Sequence, residues 1–476
     1  MDRVTTVINQ SPERPSVAFN LDLIGKYDVS GPRYTSYPTA PCFVEPFAAD
    51  EMIAEVARVQ EETPHRPVSL YVHIPFCDTV CFYCACNKLV TKDRTQAAVY
   101  LELLFREIAL VGRWISGERP VKQLHLGGGT PTFLSLEEMA SLFQQLRRHF
   151  TLFSDDTGEY GIEIDPREVP PGAIDRLRGM GFNRISFGVQ DTDSRVQRAV
   201  NRIQPMELNR RVVAEARSAG FHSINLDLIY GLPLQTSASF GASLTEVLDE
   251  LDPDRLAIFN YAHLPHYFMP QRRIHPEQLP SAAEKLAIME MTIQTLLQRG
   301  YVYIGMDHFA KPDNELALAQ KGGMLHRNFQ GYTTHADCDL LGLGVSSISQ
   351  VGEVFAQNHK TWETYRDAVN QGHSPIFRGL RRSRDDQIRN AVINRLICRF
   401  ALDFADIETR FGVVFADYFR EELQALQPLV ADGLLSWTDG GLEVMPVGKL
   451  MIRNICMVFD WHLTHGSIQK SFSKTL

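Results

Sequence analysis

From about residue 67 the chain alternates short apolar runs with amphipathic stretches. Six runs read as strands: "LYVHIPF" (70–76), "QLHLGGG" (123–129), "YGIEID" (160–165), "RISFGVQ" (184–190), "SINLDLIYG" (223–231) and "RLAIFNYAHL" (255–264). Most are near-continuous in apolar residues, as parallel strands covered on both faces should be. Between them the period becomes helical. "SLEEMASLFQQLRRHF" opens on Ser135 with Glu138 three residues on, a capping box, and Leu136, Met139, Leu142, Phe143 and Leu146 share one face. "SAAEKLAIMEMTIQTLLQRG" repeats the logic: Ser281 and Glu284 cap, Leu286, Met289, Ile293 and Leu296 form a stripe, and Gly300 stops it. Repeated strand–helix units build a parallel sheet with right-handed crossovers. Six of them predict an α/β fold with a partial (β/α)6 barrel. A full eight-stranded barrel and a doubly wound sheet compete with it, and periodicity alone does not separate the three.

Residues 1–61 are mixed in texture, with one helical stretch near residues 50–61, and read as an N-terminal arm. Residues 62–352 read as the barrel with a C-terminal strand extension. After "DLLGLGVSSISQVG" (339–352) the pattern changes, and residues 353–476 read as a mostly helical C-terminal domain. Its end carries a hairpin, "LLSWTDGGLEVMP", turning at Asp439 and Gly440. Helices followed by such a hairpin are winged-helix-like. Because the net charge is −9, a packing or lid role is the default reading over DNA binding.

The acidic balance, 48 basic against 57 acidic residues, argues against a general nucleic-acid or membrane-surface binder. No apolar run reaches the ~20 residues of a membrane span, and the first residues lack the apolar core of a secretory signal. Eight cysteines without a pairing pattern fit a reducing cytoplasm better than a disulfide framework. A cytoplasmic enzyme is therefore expected.

Four of those cysteines, Cys77, Cys81, Cys84 and Cys86, fall within ten positions, spaced C-x3-C-x2-C-x-C just after the first strand. Structural zinc draws ligand pairs from separate segments, and no distant C-x2-C or H-x3-H completes such a pair here. A redox pair would read C-x2-C alone. Three thiolates on one loop suit a [4Fe–4S] cluster. Three ligands leave one iron open, unless Cys86 closes the site, and an open iron can bind something.

C-x3-C-x2-C at the end of a first barrel strand, with Tyr83 before the third cysteine, resembles the signature of the radical S-adenosylmethionine superfamily. Within it, the chain is similar to the oxygen-independent coproporphyrinogen III oxidase family from about residue 24 to 476. The resemblance rests on "GPRYTSYPTA" (31–40), "SLYVHIPFC", the C-A-C step, "HLGGGTPT" (125–132), "IEIDPRE" (162–168), "SFGVQD" (186–191), "NLDLIYGLP" (225–233), "MDHFA" (306–310), "LHRNFQGYTT" (325–334) and "RNICM" (453–457). Ala85 departs from the Gly common there. Related haem chaperones share the three-cysteine loop but generally lack the C-x-C step and the "GPRYTSYPTA" arm.

The resemblance implies a radical S-adenosylmethionine barrel and oxidative decarboxylation of two propionates of coproporphyrinogen III to vinyl groups, giving protoporphyrinogen IX without oxygen. It implies a [4Fe–4S] cluster on Cys77, Cys81 and Cys84, with the open iron chelating S-adenosylmethionine, two molecules of which are consumed per porphyrinogen. Tyr71, Gly128, Glu163 and Ile348 resemble contacts to that molecule. Tyr83, Gly129, Thr130, Gln190, Arg202, Asp227 and Ala262 match contacts to a second molecule of it. Cys86 is expected to function without being a ligand. An electron donor such as flavodoxin or ferredoxin, no nucleic acid, no membrane, and a monomeric state complete the expectation.

The residues support part of this unaided. Glu163, Asp165, Gln190 and Asp227 fall at strand C-terminal ends, where β/α barrels build their sites. A porphyrinogen with four carboxylates needs cationic partners, and arginine forks suit them best. Arg33 and Arg327 are the candidates, with Arg33 alternatively pinning the arm. His73 and His125, in core strands, read as satisfied core residues rather than ligands.

Overall fold

The six apolar runs become six parallel strands in the computed structural model of the chain, which describes residues 6–9, 15–466 and 472–475. They are β1 (Val68–Ile74), β2 (Pro120–Gly128), β3 (Glu159–Ile164), β4 (Arg184–Gln190), β5 (Ser223–Tyr230) and β6 (Arg255–Asn260). Each pairs in parallel with the next, in the spatial order of the sequence. Every residue of β1 except Tyr71 is buried, which is why the run shows no alternation. Helices make the crossovers: α2 (Thr95–Gly112), α3 (Leu136–His149), α4 (Ala173–Met180), α5 (Met206–Ala219) and α6 (Ser237–Leu251) follow α1 (Ala49–Glu62) in chain order.

On the far side of β1 the sheet continues with β7 (Asp339–Leu343), parallel to β1, and then with antiparallel β8 (Ile348–Val351), β9 (Val354–Asn358) and β10 (Ile376–Arg381). Among the described residues the two end strands of this sheet, Val302–Gly305 and β10, do not pair with each other, so the sheet stays open. The partial barrel is the architecture adopted, not the closed eight-stranded one. β7 is tied in by charge. Asp339, 2% exposed, pairs with the fully buried guanidinium of Arg119, whose Nε donates to the carbonyl of Arg66 at 2.8 Å.

The two sequence capping boxes differ in outcome. At α3 both halves form: the Glu138 N–H donates to Ser135 Oγ at 3.1 Å, and the Ser135 N–H donates to Glu138 Oε2 at 2.8 Å. At the helix Ala282–Gln298 only the serine half forms, with the Glu284 N–H on Ser281 Oγ at 3.2 Å. The Glu284 carboxylate instead accepts the backbone N–H of Ser237 at 2.5 Å, serving the first turn of α6. A carboxylate satisfies whichever orphan helix N–H lies within reach.

The chain divides into two compact units. One holds residues 43–288 and 337–381; the other holds the described residues up to Cys42 together with 289–336 and 382–476. The expected C-terminal domain begins at residue 353, but β9 and β10 extend the sheet and the helices start at Arg384–Arg399. All five residues of β9 are buried, consistent with a strand covered on both faces. The expected N-terminal arm is also split, since α1 belongs with the sheet and residues to Cys42 with the other unit.

In that second unit the expected hairpin is present: Leu435–Thr438 and Gly441–Val444 pair across Asp439 and Gly440, and Ala401–Asp403 adds a third strand. The arm is fastened there. Arg453 donates to the carbonyls of Pro32 and Lys474 at 2.9 Å each and to that of Gly31, while the Tyr34 hydroxyl donates to Asp460 at 2.9 Å.

Candidate functional site at the strand C-terminal ends

β1 runs into Pro75 and a two-residue strand, Phe76–Cys77, which pairs in parallel with Leu89–Val90. The eleven residues between are pinned from several sides. The Phe82 N–H donates to the Val200 carbonyl at 2.9 Å, Asn201 Nδ2 to the Val80 carbonyl at 2.8 Å, and Gln271 Nε2 to the Tyr83 carbonyl at 3.0 Å. Phe82 and Tyr83 pack on a buried cluster of Val196, Val200, Leu232, Tyr261 and Ile274. The cysteine loop is thus held by apolar packing and by backbone partners on other elements.

Beside it lies a cleft of about 740 Å³, the open solvent at its mouth included, lined by the loop and the ends of β2 to β5. Of the sequence candidates, Cys77, Cys81, Tyr83, Cys84, Cys86, Gly128, Gly129, Thr130, Glu163, Gln190, Arg202 and Asp227 all line it. Tyr71, Ala262 and Ile348 do not. Tyr71 stacks on His125 at 6.0 Å between centroids, Ile348 begins β8, and Ala262 lies two residues beyond β6. Arg33 and Arg327 belong to the other unit. There Arg33 pairs with Asp307 at 2.6 Å, and the buried Arg327 lies over the Tyr332 ring.

Two arginines face one thiol. Arg202 Nη1 is 3.7 Å and Arg167 Nη2 3.9 Å from Cys81 Sγ, and both guanidinium groups engage Asp165, at 3.1 and 2.6 Å. Burial raises the Asp165 carboxyl, but the two guanidinium groups outweigh it and hold its pKa at about 2. The Thr130 hydroxyl approaches Cys77 Sγ at 3.5 Å. The neighbouring Cys86 and then the Lys88 charge lower the Cys84 thiol, while the neighbouring Cys84 and burial raise that of Cys86 against Lys88, whose Nζ donates to the carbonyls of Cys84 and Cys86 at 3.4 and 3.5 Å.

The glycine run forms one wall. Gly128 has a φ of 117°, a conformation that glycine adopts without cost. At Gly129 a Cβ would lie 2.6 Å from the Phe76 carbonyl oxygen and 2.7 Å from that of Pro75, so only glycine lets the two segments approach. Two carboxylates line the cleft with it. His125 Nε2 lies 3.1 Å from Glu163 Oε1, and burial of Glu163 is outweighed by that hydrogen bond and charge, leaving its pKa below the ordinary value. Asp227 goes the other way: burial, then the Glu163 charge, push it up to about 7.

The sequence reading missed Arg167, Lys88 and the role of His125. His73 is satisfied as expected, between the Tyr71 hydroxyl at 3.2 Å and the Asn87 carbonyl at 3.0 Å. His125 instead serves a cleft carboxylate, which its place two residues before Gly127 in β2 could have signalled, since i and i+2 share a face. Arg167, inside "IEIDPRE", has only its adjacency to Asp165 as a sequence signal.

The donor set fits an iron–sulfur cube better than a single ion. Zinc at 2.3 Å from each sulfur draws thiolates to within about 4 Å of one another. Among the described residues the only three His, Cys, Asp or Glu ligand atoms mutually within 4.8 Å belong to His335, Asp337 and Cys338. The Cys77, Cys81 and Cys84 thiols are more widely set, as a polynuclear cluster requires. Inside the cleft, Gln190 Oε1 and Arg202 Nε are buried without a partner among the described residues, so a ligand there would find both an acceptor and a donor.

Comparison with known proteins agrees with this arrangement. Residues 71–247 match the radical SAM superfamily, and residues 383–451 match the HemN C-terminal domain. The oxygen-independent coproporphyrinogen III oxidase of Pseudomonas aeruginosa is 52% identical over 461 residues, 97% of this chain and 99% of that one. Its namesake from Escherichia coli is 50% identical over 460 residues, with the same coverage. The solved structure of Escherichia coli coproporphyrinogen III oxidase (HemN), described as a radical SAM enzyme, superposes with a TM-score of 0.89 at 48% identity, covering 94% of this chain and 100% of that one.

Proposed function

The chain belongs to the oxygen-independent coproporphyrinogen III oxidase family, and from that premise we propose how its own residues serve the reaction. The reaction is oxidative decarboxylation of two propionate side chains of coproporphyrinogen III to vinyl groups, releasing two CO2. When bound, a [4Fe–4S] cluster with S-adenosylmethionine supplies the one-electron cleavage that generates the hydrogen-abstracting radical.

Cys77, Cys81 and Cys84 would hold the cluster, and Cys86, which lines the same cleft, stays outside the ligand set. Arg167 and Arg202 place positive charge against the Cys81 sulfur. Tyr71, Gly128, Glu163 and Ile348 serve the cluster-bound S-adenosylmethionine: Gly128 through the backbone wall, Glu163 as an ionised carboxylate held by His125, and Tyr71 by supporting His125 through ring stacking. Tyr83, Gly129, Thr130, Gln190, Arg202, Asp227 and Ala262 serve a second molecule, with the bare Gln190 oxygen as acceptor and Arg202 Nε as donor. Of the two candidate arginines for the substrate carboxylates, Arg33 is paired with Asp307 and pins the arm, which leaves Arg327. A low-potential protein such as flavodoxin or ferredoxin supplies the electron, and the enzyme acts as a cytoplasmic monomer; no helix among the described residues is long and apolar enough to cross a membrane.

One observation carries the reading: a single cleft at the strand C-terminal ends collects the three thiols, the glycine wall and the carboxylates. The test is anaerobic reconstitution with iron and sulfide, then incubation with S-adenosylmethionine, reductant and coproporphyrinogen III. Two CO2 lost per porphyrinogen, with matching 5′-deoxyadenosine and methionine, is the expected result. 5′-Deoxyadenosine without vinyl product would remove the substrate assignment.

A further inference from the structure

Arg327 sits in the strand His326–Asn328, paired with Gly331–Thr333. The residue is 7% exposed, and its guanidinium carbon lies 4.6 Å from the Tyr332 ring centroid. Its Nε and Nη1 are shielded from solvent and meet no acceptor among the described residues. Buried donors of this kind are costly, and nearly all find a partner in a working protein. Tyr332 offers its ring face and not its oxygen, because the hydroxyl is 3.4 Å from the Ile397 carbonyl.

The surrounding charges leave the deficit in place. Asp307 is engaged by Arg33 at 2.6 Å. Arg453 gives its donors to the carbonyls of Gly31, Pro32 and Lys474. Burial, then the Arg33 charge, hold Arg453 down to about 10, and Arg327 adds to that while Asp307 opposes it. Arg327 therefore keeps two buried donors that no described residue satisfies, while Asp307 is taken up by Arg33. An anion of carboxylate type satisfies both the charge and the donors.

We propose that Arg327, backed by Tyr332, is the socket for one propionate carboxylate of the porphyrinogen, and that Arg33 is not. The proposal rests on the decarboxylase reading for the identity of its ligand. Arg33 is committed to Asp307 and holds the arm; Arg327 is the guanidinium with two donors to give.

The test uses the full-length, cluster-loaded protein under anaerobic conditions, titrated by fluorescence with coproporphyrin III, the stable oxidised tetra-acid. Arg327→Gln is expected to weaken binding about 10- to 100-fold, and Arg327→Lys, which keeps charge but not the fork, by less. Arg33→Gln is expected to stay within about threefold of wild type, well below a lost charged hydrogen bond. An unchanged Kd in Arg327→Gln, the result expected if solvent anions alone fill the socket, overturns the proposal. Should that variant not fold, an unchanged Kd in Arg327→Lys overturns it instead. Affinity for S-adenosylmethionine falling in parallel in the same samples also overturns it, since Arg327 would then act through the fold. A wild-type protein that binds coproporphyrin III but forms no vinyl product removes the decarboxylase reading and leaves the socket standing.

Discussion

Arg202 Nη1 lies 3.7 Å from Cys81 Sγ and 3.1 Å from Asp165 Oδ2, so one nitrogen bridges a thiol of the cysteine loop and a buried carboxylate. Arg167 repeats the arrangement from the other side. The carboxylate orients both cations, and the cations face the sulfur. Positive charge beside a ligand sulfur stabilises the reduced cluster, which carries one more electron.

Replacing Arg167 with Gln removes one of those charges without touching a ligand. The reduction potential should fall, by on the order of 50 mV. An anaerobic redox titration followed by electron paramagnetic resonance checks it. A potential unchanged or raised would refute a tuning role.

Cys86 lines the same cleft as Cys84 without joining the cluster in the proposed assignment. Cys86→Ser should therefore load the same iron and sulfide per chain as wild type after reconstitution, whereas Cys84→Ser should not. Iron and sulfide analysis with the visible spectrum distinguishes the two.

At Gly129 a methyl group would strike two backbone oxygens that cannot move independently. Gly129→Ala should lower S-adenosylmethionine affinity more than tenfold and cost roughly 2 kcal/mol or more of stability. Isothermal titration of the loaded protein and a denaturation curve measure the two effects separately.

Asp227 has a folded-state pKa of about 7 against an ordinary value of 3.8. The native protein then holds a proton between those values that the unfolded chain has released, so this group's contribution falls as pH rises from about 4 to 7 and is flat above. The full shift is worth roughly 4 kcal/mol, and partial exposure to the cleft brings it nearer ~2. Asp227→Asn, which retains an oxygen to accept from Asn225 Nδ2, should melt higher than wild type at pH 8. The gap should close toward pH 5; a gap independent of pH would contradict the buried-carboxylate account.

Arg119→Met leaves Asp339, 2% exposed at the start of β7, with Arg66 3.4 Å away and the Gly352 N–H at 3.3 Å. A loss of about 3–5 kcal/mol is expected, read by urea denaturation. The double variant Arg119→Met with Asp339→Leu should recover much of it.

The six strands and their order were legible because parallel strands buried on both faces leave continuous apolar runs, as in "LYVHIPF". β7 and β8 fall in the expected strand extension, but β9 and β10 were not read as sheet. "DLLGL" looked like the end of a domain, and β10, "IFRGLR", has only one fully buried residue. The cleft candidates came together because motifs at strand ends share one rim. Arg167 and Lys88 escaped, since a charged side chain next to a carboxylate or in a loop looks like solvated surface until its target sulfur or carbonyl is placed. Glu284 shows the reverse case: its spacing from Ser281 spells a capping box, and only the nearby N–H of Ser237 explains why the carboxylate went elsewhere.

The cysteine loop is anchored through Phe82, Val80 and Tyr83 to backbone and side chains that hold no cluster ligand. Most of the entropy of gathering three thiols is therefore lost when the chain folds, before any iron arrives. In a zinc finger the metal must supply that ordering, and binding free energy is spent as folding free energy. Here assembly of the cofactor is separated from assembly of the fold, so damage to the oxygen-sensitive metal centre leaves a protein still shaped to receive another.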